Sequence, residues 1–145
     1  MKLTGFSLPL GGEAVVLRTK EHDLDLHNWY SLARMSCSLV EQQQCEMTWI
    51  LRDEVRVHEV TRGLGLPQQV KLVFLAFSGM RTVFPADERD VLDPTCVARM
   101  GIVRGEGVER PDAVSAERRV DGFVIEFQGD IVYDIECSEV VIGVT

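Results

Sequence analysis

At 145 residues, 46% of them hydrophobic and 26% charged, the chain is long enough to bury one continuous core without metals or disulfides, and its composition is that of a folded domain. A formal net charge of −8 makes the average field repel phosphate and excludes the basic footprint of a nucleic-acid binder, while favouring encounter with a basic protein. Apolar stretches such as Leu72–Phe77 and Val140–Ile142 fall far short of the roughly 20 residues of a membrane-spanning helix. The start, Met1–Leu10, with one lysine and a Gly/Pro-broken apolar patch, lacks the pattern of a secretory signal, so a cytoplasmic location is expected.

Residues 1–145 read as a single domain, since no repeat, low-complexity tract or linker interrupts them. In chain order, Ala14–Arg18 reads as a strand, and Leu24 with Leu26 as part of another ending near Trp29-Tyr30. The most metal-like cluster, His22-Asp23-Leu24-Asp25-Leu26-His27, overlaps the second of these. On a strand, Asp23, Asp25 and His27 line one face, with the donor types that a hard cation or zinc takes. Such a site needs further ligands that the sequence does not nominate, and the plainer reading is the solvated face of a half-buried strand.

Ala33, Met35, Cys37 and Leu39 alternate with Arg34, Ser36 and Ser38. After the polar run Glu41–Gln44, the apolar phase returns as Cys45, Met47, Trp49 and Leu51. This is a β-hairpin pattern. The four cysteines, Cys37, Cys45, Cys96 and Cys137, contain no C-x-x-C pair, so reduced, partly buried thiols are expected, with a bridge from Cys37 to Cys45 across the hairpin as the alternative. A turn at Asp53-Glu54 and a third strand over Val55–Val60 complete an expected meander.

Gly63–Pro67 punctuates the chain as a loop. Val70–Phe77, apolar in both phases after Lys71, suits a central strand covered on both sides, and Met80–Phe84 a further hairpin arm. Pro94–Met100 reads equally as a short helix, capped by Asp93 and stopped at Gly101, or as a strand. Gly105–Ser115 reads as a loop, with a helical turn expected over Ala113–Arg119.

The clearest alternation is C-terminal. Phe123, Ile125 and Phe127 share one phase, and after Gln128-Gly129-Asp130 the residues Ile131, Tyr133, Ile135 and Cys137 continue it. Pairing Phe127 with Ile131 sets Ile125 opposite Tyr133 and Phe123 opposite Ile135; a one-residue slip would turn one apolar set to solvent. Beyond Cys137 the phase flips to Val140, Ile142 and Val144, which predicts a bulge or bend at Ser138-Glu139.

No local catalytic signature appears. Phe77-Ser78-Gly79 lacks the first glycine of a nucleophile elbow, and Gly101–Gly107 lacks the lysine and hydroxyl of a phosphate loop. The least random feature is charge segregation: Asp121, Glu126, Asp130, Asp134, Glu136 and Glu139 follow Arg119 with no further Lys or Arg. On the hairpin Glu126, Asp134 and Glu136 share the outward face, an acidic stripe suited to a basic protein partner, with a solubilising face as the plainer alternative.

Val70–Phe77 and Phe123–Val144, with alternating apolar residues around Gly129-Asp130 and Ile135-Glu136-Cys137, resemble the strand patterns of small stand-alone immunity-type proteins that accompany bacterial polymorphic toxins. The compact, anionic whole also resembles products of bacterial mobile gene cassettes. Neither likeness implies a catalytic activity or carries a functional residue across.

The expectation is therefore a mainly β, two-layer antiparallel sandwich or flattened barrel of about eight strands, with at most one short helix. Its expected core holds Trp49, Phe74, Phe123, Ile125, Phe127, Ile131, Tyr133 and Ile135. Three functions compete: a non-enzymatic binding module, requiring no cofactor, that docks a basic protein and is open to homodimer formation through a sheet edge; a small-ligand binder with a pocket lined by Met35, Met47, Trp49 and Tyr133; and an enzyme built on Asp23, Asp25 and His27.

Overall fold

Alternation along the chain resolves into eleven strands among the described residues of a computed structural model, which are 1–9, 15–56, 63, 65–84, 95–103, 122–128 and 131–145. They are β1 (Lys2–Thr4), β2 (Val16–Arg18), β3 (Asp23–Asp25), β4 (Tyr30–Ser38), β5 (Gln44–Leu51), β6 (Gln69–Leu75), β7 (Gly79–Val83), β8 (Val97–Val103), β9 (Gly122–Phe127), β10 (Ile131–Glu136) and β11 (Glu139–Val144). A five-stranded sheet has the order β1-β11-β6-β5-β4 and a four-stranded sheet the order β7-β10-β9-β8; β2 and β3 form a separate pair. The sheets share one apolar core, and the Phe74 and Phe123 rings meet across it at 5.8 Å. The protein is thus mainly β and sandwich-like, with eleven strands where about eight were expected, the short β2 and β3 falling where strands were expected and β1 where none was, and one parallel pair, β1 with β11, where an all-antiparallel arrangement was expected.

The β9–β10 register is the one that alternation demands: Phe127 opposite Ile131, Ile125 opposite Tyr133, Phe123 opposite Ile135. Phe123, Ile125, Phe127 and Ile135 are fully buried, as are Trp49 and Phe74, while Ile131 and Tyr133 are partly buried at the rim. The β4–β5 hairpin also forms, with Met35 opposite Met47 and Cys37 opposite Cys45, and a bulge between Leu32 and Arg34.

The phase flip at Cys137 has a topological cause. β6 pairs with β11 in one sheet and β7 with β10 in the other, so two antiparallel segments turn the same corner together. Between the pairs Leu75–Glu139 and Gly79–Glu136, Ala76, Phe77 and Ser78 stand against only Cys137 and Ser138. The extra residue, with Ala76 at φ 50°, bends the ribbon from one layer into the next. Ser78 N donates to Glu136 O at 3.1 Å and Ser138 N to Leu75 O at 3.1 Å, which pins the corner. The corner also corrects the expected hairpin arm: Met80–Val83 joins β10 in the second sheet.

Other expectations shift. Val55 and Arg56 are helical, not extended, in a turn over 53–56 whose first residues, Asp53 and Glu54, suit the positive end of a helical turn; residues 57–60 lie outside the described set. The third strand of the meander is instead β6, central between β5 and β11. Val97–Met100 belongs to β8, which continues through Gly101, so the strand alternative holds there, while Pro94 lies outside the described residues, as does 105–119.

Candidate functional site

The metal-like cluster does not converge. Asp23 sits at 3.3 Å from Arg18, while Asp25 turns back on its own chain, accepting from His27 N at 3.0 Å and Asn28 N at 2.9 Å through Oδ1. These bonds make an Asx-type turn that ends β3, so His27 leaves the strand on which the three were expected to share a face. Among the described residues no group of three or more His, Cys, Asp or Glu is placed to hold a metal ion.

His27 takes part in a contact that sequence spacing does not show. Its Nδ1 lies 2.7 Å from Val97 O and 3.5 Å from the Cys96 thiol, which itself donates to His27 O at 3.1 Å. A carbonyl only accepts, so Nδ1 carries the proton and cannot take one from Cys96. The pair therefore ties the turn before β4 to the start of β8, with His27 Nδ1 acting as a donor and not as the base that would take the thiol's proton. The two residues are 69 apart in sequence, and no local motif links them.

Glu126, Asp134 and Glu136 do share one face of the β9–β10 pair, by register. Asp134 is buried, however, with Arg81 as its cross-strand neighbour on β7. Glu126 is ion-paired with Arg99 of β8, and Glu136 accepts from Ser78 Oγ at 3.2 Å. Opposite charges facing each other across neighbouring strands neutralise much of the expected stripe.

Among the described residues, one feature with open hydrogen-bonding capacity is the outer edge of β4. Strand β4 ends the five-stranded sheet, and Cys37 is bridged to Cys45, which corrects the expectation of reduced thiols for this pair; Cys96 and Cys137 are buried and unbridged. The Cys37 and Cys45 Cα atoms lie 3.9 Å apart, the close spacing of a pair that exchanges no backbone hydrogen bonds. Cys37, and by alternation Met35, accordingly direct their N–H and C=O groups away from β5, toward the side of β4 on which no described strand pairs. Lower down, Leu32 N is held by Thr95 O at 3.0 Å, so the open stretch begins beyond the bulge.

Apolar side chains stand exposed around that edge: Met35, Leu39, Val40 and Ile50. At its foot a hollow of about 450 Å³ is lined by Ser31, Leu32, Ala33, Ile50 and Arg52 together with Glu54 and Asp53, the last 3.8 Å from Arg56. Glu41, in the turn joining β4 to β5, is exposed. The Arg52 side chain is drawn inward to Tyr30 O and Ser31 Oγ, at 3.2 Å and 3.0 Å. An accessible strand edge beside a hollow of mixed polar and apolar lining, with two carboxylates at its rim, is what an extended, cationic peptide segment would use.

Met35, Met47, Trp49 and Tyr133 do not form one pocket wall: Met47 and Trp49 are fully buried in the core, Met35 lies at the exposed edge, and Tyr133 packs edge-on against Phe127 at 5.5 Å. None of the helical residues described forms a segment long and apolar enough to cross a membrane. Comparison with known protein families, curated proteins and solved structures finds no match.

Proposed function

We propose that this chain is a non-enzymatic interaction module that takes an extended, basic segment of a protein partner onto the outer edge of β4. The observation that supports this reading is the pair of outward-directed backbone positions, Met35 and Cys37, on a hairpin held rigid by a disulfide. Main-chain hydrogen bonds would supply affinity, and the hollow rimmed by Asp53 and Glu54 would select a Lys or Arg side chain. The net charge of −8 favours the same kind of partner by steering its approach. The edge suits this role better than the face of Glu126, Asp134 and Glu136, where Glu126 is ion-paired with Arg99 and Asp134 is buried opposite Arg81. The likeness to immunity-type proteins points to the same class, a stand-alone protein that acts by binding. The Cys37–Cys45 bridge bears on location too, because such bonds persist in oxidising compartments, against the cytoplasmic expectation.

The test uses Met35→Pro, which deletes one outward donor and leaves the ladder to β5 intact, because proline is tolerated on an edge when its missing N–H faces solvent. The immobilised chain should capture a basic protein, lose it with Met35→Pro or with the double change Asp53→Asn and Glu54→Gln, and release it as salt rises. Capture indifferent to both variants and to salt overturns the proposal. Self-association abolished by Met35→Pro also overturns it, by making a second copy the occupant.

A further inference from the structure

β1 and β11 run side by side only from Lys2–Glu139 to Thr4–Val141. At Gly5 the backbone takes φ +86°, and a Cβ there would stand 2.8 Å from Ile142 Cγ2. Only glycine allows the chain to turn away so close to β11. It then continues through Phe6 to Ser7, which bonds Arg18 in both directions at 2.8 Å and 3.0 Å. The end of β11 is thus deserted by its neighbour, and the wedge between them is a groove of about 680 Å³.

The groove has two kinds of surface. Phe6, Ile142 and Val144 supply an apolar side, with Phe6 buried and Val144 exposed. The end of β2 supplies Arg18, and the turn from β2 to β3 supplies Lys20 and His22 against a single carboxylate, Glu21. Arg18 shares its charge with Asp23, whereas the Lys20 ammonium has no partner within ion-pair distance among the described residues. The backbone adds a donor. Thr145 and Gln69 exchange both hydrogen bonds, 3.0 Å and 2.9 Å. By alternation, Gly143 also bonds toward β6, and Val144 N–H points to the vacated side. In a chain of net charge −8, a groove combining an apolar wall, an unpaired ammonium and an outward N–H reverses the local sign.

From this charge and apolar complementarity we infer that the groove binds a small amphipathic anion, an aliphatic or aromatic body carrying a carboxylate or sulfonate head. The body lies against Phe6, Ile142 and Val144, and the head takes the Lys20 ammonium and the Val144 N–H. The volume falls within the range of small-molecule sites, about 300 to 1,000 Å³. This site is independent of the β4 edge.

Dodecanoate is the probe, titrated calorimetrically into the intact chain, with dodecanol as the uncharged control. One saturable site is expected, with affinity reduced about tenfold by Lys20→Glu, which loses one charge-assisted contact. Val144→Asp, at an exposed position that does not threaten folding, should weaken binding at least as much, and Met35→Lys at the far edge should leave it unchanged. Absence of saturable binding, equal binding of dodecanol, or affinity insensitive to both Lys20→Glu and Val144→Asp overturns the inference.

Discussion

The two hairpins β9–β10 and β4–β5 are written in the same code, apolar residues at every second position, yet they meet different fates. In β9–β10 the apolar phase lies in the core. In β4–β5 only one arm does: Met47 is 0% exposed, whereas Met35, directly opposite, is 36% exposed. Alternation fixes which side chains share a face, and burial further requires something on the other side of that face. Phe123, Ile125 and Phe127 sit on a central strand of the second sheet, while Met35 and Cys37 lie on the last strand of the first, beyond the reach of the facing layer.

The largest effect that can break this comparison is expected in the core. Phe127→Ala should cost about 3 to 5 kcal/mol, because the lost apolar transfer adds to the cavity left beside Tyr133. Met35→Ala should change stability by no more than about 0.5 kcal/mol, as at other surface positions. Chemical denaturation of both variants measures the gap. Equal losses would show that the β4 edge is covered in solution.

An intermediate effect is expected from the disulfide. It closes a sequence separation of 8, and Cys37→Ser should cost about 2 kcal/mol, since a short closed loop removes less chain entropy from the unfolded state than a long one. Thermal unfolding with and without reductant checks this, and the reductant should leave Cys37→Ser unaffected. Mass measurement after alkylation sharpens it: two reactive thiols should appear only once the chain is unfolded without reductant, those of Cys96 and Cys137.

The uneven legibility of the sequence follows from the range of each signal. Register in β9–β10 was readable because a three-residue loop and period-two facing leave one arrangement with both apolar sets inward. The same signal announced a break after Cys137 but could not say that β11 joins another sheet, because sheet membership depends on pairing with β6, some 70 residues distant in sequence. Val55 and Arg56 alternate as a strand would, yet the local charge pattern around Asp53, whose carboxylate lies 3.8 Å from Arg56, favours a helical turn. The candidate edge was partly legible, since its residues stood out as a hairpin. That it is an edge, that its exposed backbone sits beside Asp53 and Glu54, and that Cys96 meets His27 are tertiary facts with no local marker.

The smallest effect concerns the other margin of the same sheet, where β1 is stitched to β11 by Glu139. Its carboxylate accepts from Thr4 Oγ1 and from Lys2 Nζ, the latter at 2.9 Å. The Thr4 hydroxyl first, and Lys2 next, hold its pKa below the ordinary carboxylate value. A lowered folded-state pKa means that the unfolded chain takes up the proton more readily, so this contribution is present above the unfolded-state value, near pH 4, and fades as pH falls through the folded-state one. Glu139→Gln should therefore be less stable than the parent at neutral pH and converge with it in acid, as read from denaturant midpoints across that range. Because Gly5 turns the chain away one residue after Thr4, loosening this stitch should also weaken dodecanoate binding in the adjoining groove, whereas Met35→Lys at the opposite margin should not. A parallel offset between the two stability profiles at every pH would show that Glu139 acts through packing, with its charge playing no part.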